Sequence, residues 1–487
     1  MIVTAFDDFP LAPQGDGDQA AGSFKCDEIH RSILPIEDNA AFASIALLMK
    51  PAGPIHSPLH WKVALAACFG TFLEWYDFLT FGVLASLLGT LFFPADDPIA
   101  SLLASLATFG VGMVVRPIGA AFFGSLGDRH GRRPIFIITI CLMGAATFSV
   151  GLLPTYAQAG VWAPAMLVAM RVLQGLAMGG EIGGAAVYLT EHAPIKYRGA
   201  FTSVLQLMGP LGILVSTLQI ILLQSWLTEF EFHAWGWRVP FLVSALLLAI
   251  SIKGRLALTE SPIFAQLRAD NRIAKTPLRE AFSDRRTLGR MALLVFCISS
   301  GGSLLFFSSQ VYSAVFLKTV VNMDATLAAQ LTMVATLALF PLTIACGWLS
   351  DRIGRRPVML SGLLLGALAI LPVFSGLRHF GAPGQTEPLI VIALLLIPVT
   401  AVALITGPQT ATLAELFPAR TRYSAVALPH NLAAGWVGGM SPFMVTLLGV
   451  KLGDPLSGLI YPVALLSIAF IVGWRFLPET RSAALED

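Results

Sequence analysis

Charge is scarce in this chain. Asp, Glu, Lys and Arg make up 12% of 487 residues, and 56% are hydrophobic. A soluble domain carries about 25% charged residues, so a water-solvated globule is excluded. Nucleotide-driven chemistry has no handle either: no Lys follows a Gly, so no Gly-Lys-Ser/Thr phosphate loop is present, and no Gly-x-Ser-x-Gly nucleophile turn occurs. Cysteine is rare. Cys68, Cys141, Cys297 and Cys346 fall in apolar runs and Cys26 in the amino-terminal tail, none with metal-ligand spacing. They read as small packing residues. The net charge of +2 gives no reason to expect nucleic acid as a partner.

What is abundant is long apolar runs. A membrane-crossing helix needs about 20 mostly apolar residues. Twelve such runs are read near 60–86, 100–123, 134–154, 162–189, 199–226, 237–257, 290–318, 326–349, 357–377, 387–413, 422–449 and 457–477. The expected fold is an all-α integral membrane protein of twelve transmembrane helices. Of 31 Lys and Arg, Lys318, Arg378 and Lys451 fall in one set of loops, Arg238 at a helix end on that side, and Arg116 and Arg171 inside helices. The other 25 lie in the two termini and the opposite loops, which places both termini in the cytoplasm.

Two motifs occur twice in register. Gly124-Ser-Leu-Gly-Asp128-Arg129-His-Gly131-Arg132-Arg133-Pro134 returns 223 residues on as Gly347-Trp-Leu-Ser-Asp351-Arg352-Ile-Gly354-Arg355-Arg356-Pro357. Glu191-His-Ala-Pro194-Ile-Lys-Tyr-Arg198 returns 224 residues on as Glu415-Leu-Phe-Pro418-Ala-Arg-Thr-Arg422. Two motifs at one offset indicate a duplicated unit, as in many secondary transporters. The expected domains are an amino-terminal six-helix bundle at 56–252, a cytoplasmic linker at 253–290 with nine Lys/Arg, a second bundle at 291–480 and a short tail at 481–487. Residues 1–55 are acidic between Asp7 and Asp38 and are expected to be disordered; Met49 is an alternative start.

The doubled Gly-x-x-x-Asp-Arg-x-Gly-Arg-Arg resembles the loop motif of the major facilitator superfamily. More narrowly, the chain resembles that superfamily's metabolite:proton symporters. The resemblance rests on Glu74-Trp75-Tyr76-Asp77-Phe78, Arg116-Pro117-Ile-Gly119, Arg171-Val-Leu-Gln174-Gly175, Gly179-Gly180-Glu181, Trp235-Gly-Trp237-Arg238-Val-Pro240-Phe241, Glu260-Ser-Pro262 and Glu415-Leu-Phe417-Pro418. It implies two pseudo-symmetric six-helix bundles and uptake of a small organic solute by alternating access. It further implies a proton gradient as driving force with no cofactor and no ATP, and a monomer in the cell inner membrane. It also implies a gating role for Gly124, Asp128, Arg129, Gly131, Arg132 and Arg133, and for Gly347, Asp351, Arg352, Gly354, Arg355 and Arg356.

The residues rank the chemistry. Ionisable groups within a bilayer cost about 2.5–3.5 kcal/mol each on insertion scales and default to function. Five lie at depth: Glu74, Asp77, Arg116, Arg171 and Glu181. Asp77 and Arg171 are each nine residues from the outer end of their runs, about 13 Å deep, and are expected to pair. Arg116 and Glu181 share another level, leaving Glu74 without a partner at its depth. Desolvation disfavours a charged carboxylate, so Asp77 and Glu74 are the candidate proton carriers, coupled to Arg171 and Glu181. Arginine suits a substrate carboxylate through its two-pronged donor geometry. Three acids against two arginines leave the set at −1, which favours a monocarboxylate or a zwitterion such as proline or betaine. The candidate substrate-binding set is Arg116, Arg171, Tyr76, Gln174, Gln310, Tyr312, Gln409 and Asn431. For each polar group of the second half, including Ser299, Ser308, Thr406 and His430, ordinary interhelical hydrogen bonding is the plainer reading. A ligand sensor built on a transporter fold is the rival of another class; only about seven residues follow Thr480 to serve as an output domain. Mass spectrometry of the native protein checks the reading that translation starts at Met49: a peptide from before that residue overturns it.

Overall fold

Within a bilayer the backbone must satisfy its own hydrogen bonds, which leaves helices or closed barrels. Every regular element among the described residues of this chain is helical. The structure is a computed structural model describing residues 59–130, 132–180, 185–186, 189–190, 193–256, 280, 282–384, 386–417, 422–481 and 483, all within one compact unit, Pro58–Asp487.

All twelve predicted runs coincide with helix. We number them α1 (Leu59–Val83, continuing as Ala85–Phe92), α2 (Pro98–Phe123), α3 (Arg132–Leu152), α4 (Trp162–Gly179), α5 (Ile195–Trp226), α6 (Gly236–Lys253), α7 (Arg285–Thr319), α8 (Ala325–Ile353), α9 (Arg355–Phe380), α10 (Pro388–Glu415), α11 (Ala425–Leu452) and α12 (Ser457–Phe476). The amino-terminal extension with Met49, most of the 253–290 linker and Glu181 lie outside the described residues. So do the side chains of Gly124, Asp128, Arg129, Gly131, Arg132 and Arg133.

The packing repeats with a period of six helices. In the first half α5 packs on α1, α6 on α1 and α3, and α4 on α2 and α3; in the second α11 packs on α7, α12 on α7 and α9, and α10 on α8 and α9. Between halves, α5 lies against α8 and α10, and α11 against α2 and α4. The sequence offset of the two motifs is thus matched in space. We call the end that carries the α8–α9 turn the motif face and the other the far face.

Several helices are irregular where they approach the centre. α1 bends by 64° at Leu84, so it runs past the residue 86 read as its end. α2 breaks at Val115, where Pro117 offers no N–H and disfavours helix in the residue before it; Ile118 and Gly119 both donate to the Val115 carbonyl instead. α7 carries two π-helical turns, Leu294–Ser299 and Phe307–Tyr312. α11 carries one over Ala433–Gly439, which ends in the Gly438-Gly439 pair, before restarting at Ser441–Pro442. Such turns are rare and mark functional segments.

The expected small-residue face of α4 is seated on α2. A β-carbon added at Gly175 would meet the Gly112 carbonyl oxygen and Val115, and one at Gly179 would meet the Arg116 carbonyl oxygen and Ala120 N. Only glycine permits this approach. Gly175→Ala and Gly179→Ala are each expected to destabilise the folded protein by about 1–3 kcal/mol, seen as a lowered melting temperature in detergent. Gly289→Ala, where nothing lies within 4 Å, serves as the control and leaves the melt unchanged or raised.

Candidate transport site and gate

A cavity lies between the halves. Trp75 of α1, Arg116 of α2 and Gly209 and Pro210 of α5 line it from one side. Phe306 and Phe307 of α7, Thr406 and Gln409 of α10 and His430 of α11 line it from the other. Arg116 is the cation of this wall. It is fully buried, its Nη1 donates to Met113 Sδ at 3.2 Å, and its guanidinium carbon stands 5.8 Å from the Trp75 ring. The break at Pro117 sets Arg116 at the head of a new helical segment.

Glu74 is the carboxylate whose charge acts on Arg116. This corrects the depth-based reading for Glu74, which it left without a partner; Glu181, set level with Arg116, lies outside the described residues. Depth along a helix says nothing of the direction a side chain takes around it.

Asp77 and Arg171 do come together. Arg171 and Thr147 are the polar neighbours of the wholly buried Asp77. The two ions do not close on each other: neither Asp77 oxygen and none of the Arg171 nitrogens has a hydrogen-bond partner. The Arg171 guanidinium instead lies over the Phe81 ring at 3.8 Å, with Phe78 at 5.2 Å, a cation–π arrangement strengthened by the lack of water. Gln174 belongs to this cluster, donating to Thr147 Oγ1 at 2.5 Å. Phe78 contacts Phe109 at 4.6 Å, and Phe109 contacts Phe307 at 6.0 Å, so a chain of rings links the Asp77 cluster to the cavity wall.

The other predicted binding residues separate. Gln409 lines the central cavity. Gln310 does not: it accepts from Thr336 at 2.6 Å and lines a second cavity toward the far face. Tyr76 faces α5 and α6, its hydroxyl 2.5 Å from Gln219 Oε1 and 2.9 Å from the Pro240 carbonyl. Tyr312 packs into the second half against Phe374. Asn431 spans the halves, donating to the Gly179 carbonyl at 3.3 Å. His430, read as structural, both lines the cavity and pairs with Ser299 at 2.8 Å. Trp75 and Phe307 were passed over because aromatic residues in an apolar run look like core.

At the motif face the second loop motif bridges the halves. Asp351 accepts from the backbone N–H groups of Gly199 and Ala200 at 2.8 and 2.9 Å. These belong to the first turn of the α5 helical segment that starts at Arg198, where N–H groups lack helical acceptors and the dipole favours an anion. Arg355 donates to Asp351 at 2.6 Å and to Glu415 at 3.2 Å, and Arg198 reaches the same Glu415 oxygen at 3.2 Å. Thr480 donates to Glu415 at 2.8 Å. Glu479 accepts from the N–H groups of Arg355 and Arg356 at 2.8 and 3.1 Å. Gly354, at φ 108°, makes the turn; a side chain there would collide with Glu479. Of the motif's other members, Gly347 sets α8 against Gly199, while Arg352 stacks on Trp348 at 3.9 Å. Glu415, Glu479 and Thr480 were given no role from sequence, although the repeat of Glu415 at the offset of the loop motif was the available signal. At the far face, Ala85, Leu102, Leu106 and Val315 form one apolar cluster with Phe443. The central cavity lies between these two sets of contacts.

Removing one member of a buried charge network destabilises by about 3–5 kcal/mol. Glu415→Gln is therefore expected to lower the melting temperature and to expose Ser203→Cys, otherwise buried between α5 and α8, to a bulky maleimide. Unchanged melting and labelling would show the network to be idle.

Comparison with known proteins agrees with this architecture. The sugar (and other) transporter family model matches residues 63–287 and 268–487. An inner membrane metabolite transport protein of Escherichia coli K12, YhjE, is 35% identical over 429 residues, covering 87% of this chain and 95% of the relative. The shikimate transporter of the same organism is 33% identical over 389 residues, covering 80% and 87%. The xylose transporter XylE of E. coli, in a partially occluded inward-open conformation, superposes with a TM-score of 0.70 at 19% identity, covering 88% of this chain and all of that one. The chain is a multi-pass membrane transporter, not an enzyme, and belongs to the sugar (and other) transporter family of the major facilitator superfamily.

Proposed function

We propose that the protein takes up a small carboxylate-bearing metabolite together with a proton, by alternating access of the central cavity. The motif face is cytoplasmic, because it gathers the Lys and Arg residues, and the far face is outer. The protein works as a monomer, with the proton gradient as its only energy source. The observation that carries this reading is a buried acid and a buried base that stand together without closing: Asp77 and Arg171.

The pair supplies a proton-dependent switch. With Asp77 ionised, its charge holds Arg171 in place across a medium of low dielectric. With Asp77 protonated that hold is gone, and the Phe81 ring keeps the guanidinium from standing unsolvated. Arg171 therefore has two partners, and a proton selects between them. The ring contacts through Phe78, Phe109 and Phe307 carry the change to the cavity wall. There Arg116 binds the substrate carboxylate, and Gln409, Thr406 and His430 meet its polar substituents.

The aromatic lining favours one further reading. Trp75 and Phe306 stand 5.5 Å apart on the cavity wall, and such surfaces hold quaternary ammonium groups. A zwitterion such as betaine would place its carboxylate at Arg116 and its cation against the cavity side of these rings. The two readings share the carboxylate and differ in the other end of the molecule.

Proteoliposomes with a trapped pH dye decide among them. Adding a transported carboxylate outside is expected to acidify the lumen. Asp77→Asn abolishes that signal while leaving substrate exchange in the absence of a gradient, and Arg116→Gln raises the half-saturating concentration about tenfold or more, the loss of a charge-assisted hydrogen bond. A response to betaines alone selects the zwitterion; a response to sugars alone, or proton flux that survives in Asp77→Asn, overturns the proposal.

A further inference from the structure

A second cavity lies between the halves, toward the outer face. It repeats the central one two helical turns farther out. Trp75, Pro210, Phe307 and Thr343 line the central cavity, and Gly82, Thr217, Ala314 and Thr336 line the outer one. Each pair is seven residues apart on one helix, two turns and about 10 Å along the same face. α1, α5, α7 and α8 therefore each present one stripe that walls both spaces. Between them lies the π-helical turn Phe307–Tyr312 of α7.

The chemistry of the outer cavity has the same plan as that of the central one. One cation lines each, Arg116 within and Lys318 without, and no Asp or Glu lines either. Around Lys318 stand the hydroxyls of Ser86, Thr217, Thr332 and Thr336 and the Gln310 amide. Asp324, the carboxylate that acts on Lys318, accepts through Oδ1 from Thr326 N and Leu327 N at 3.0 and 2.9 Å in the first turn of α8 and does not line the cavity. Lys318 is half-buried and has no ion pair within 4 Å among the described residues. An ammonium group in a hydroxyl-lined cleft with no lining acid is suited to a small anion. Its charge is a flexible point on a four-carbon stem rather than a two-pronged fork, so it attracts a carboxylate without fixing its orientation.

We infer that the outer cavity is a second binding station for a small organic carboxylate, with Lys318 as its charge partner, which the solute occupies before reaching Arg116. The inference rests on the carboxylate reading of the central site, but its test does not depend on transport. Thr332→Cys places a thiol in the outer cavity and leaves Lys318 in place. In the full-length protein in nanodiscs, the anionic sulfonatoethyl methanethiosulfonate is expected to modify residue 332 about tenfold faster than its cationic trimethylammonioethyl counterpart, a difference set by one nearby charge. Peptide mass spectrometry reads this adduct separately from the native cysteines. Lys318→Gln on the same background erases the preference, Lys318→Arg keeps it, and lactate or shikimate slows the reaction only where the preference exists. Equal rates for the two reagents with Lys318 present, or a preference that survives Lys318→Gln, overturns the station. An anion preference accompanied by failure of every carboxylate in the proteoliposome assay strikes the central-site reading alone and supports this one. Carboxylate-driven proton flux with no anion preference at residue 332 does the reverse.

Discussion

A guanidinium without water needs an acceptor or a polarisable surface within a few ångströms, and among the described residues five are buried: Arg116, Arg171, Arg198, Arg355 and Arg422, the last donating to the Phe417 carbonyl. Much of the arrangement follows from how each is provided for. Arg198 and Arg355 share the Glu415 carboxylate, each in a direct ion pair. Arg116 has the charge of Glu74 and the face of Trp75, and borders open space. Arg171 has a carboxylate that it does not touch and a ring that it does. These direct ion pairs sit at the motif face, and Arg116 and Arg171, which lack one, sit at the centre of the bundle.

The duplicated sequence does not give duplicated chemistry. Helices of the two halves pack alike, position by position, yet the buried ions of the central region come from α1, α2 and α4, while α7 and α10 contribute hydroxyls and amides. One half carries charge that can be altered by a proton; the other supplies hydrogen bonds that cannot. A site at the interface is in this way addressed by two kinds of interaction from two directions, and each can evolve separately.

How much could be read in advance varied with the physical signal. The spans were legible because about 20 apolar residues in a row have few alternatives, and the repeat was legible because Asp351 and Glu415 recur at one offset from Asp128 and Glu191. The Asp77–Arg171 neighbourhood was legible because equal depth on two helices restricts which groups can meet. Equal depth failed for Glu74 and Arg116, since rotation about the helix axis is invisible to a residue count once the helix is apolar on all sides. The 64° bend after Val83 left no proline to announce it. Tyr76 and Gln310 were singled out for being polar in apolar runs, and such a residue has a partner whether or not a ligand exists. Trp75 and Phe307 escaped notice for the opposite reason.

Glu479 and Thr480 give the carboxyl end of the last helix an architectural part. The residues after α12 reach back across the motif face, one onto the start of α9 and one onto the carboxylate shared by Arg198 and Arg355. Residues 479 and 480 thus form a strap, and a fusion partner or a truncation placed at residue 478 would cut it. Purification handles and reporter domains on this protein belong beyond Thr480, on a spacer long enough to leave the strap seated.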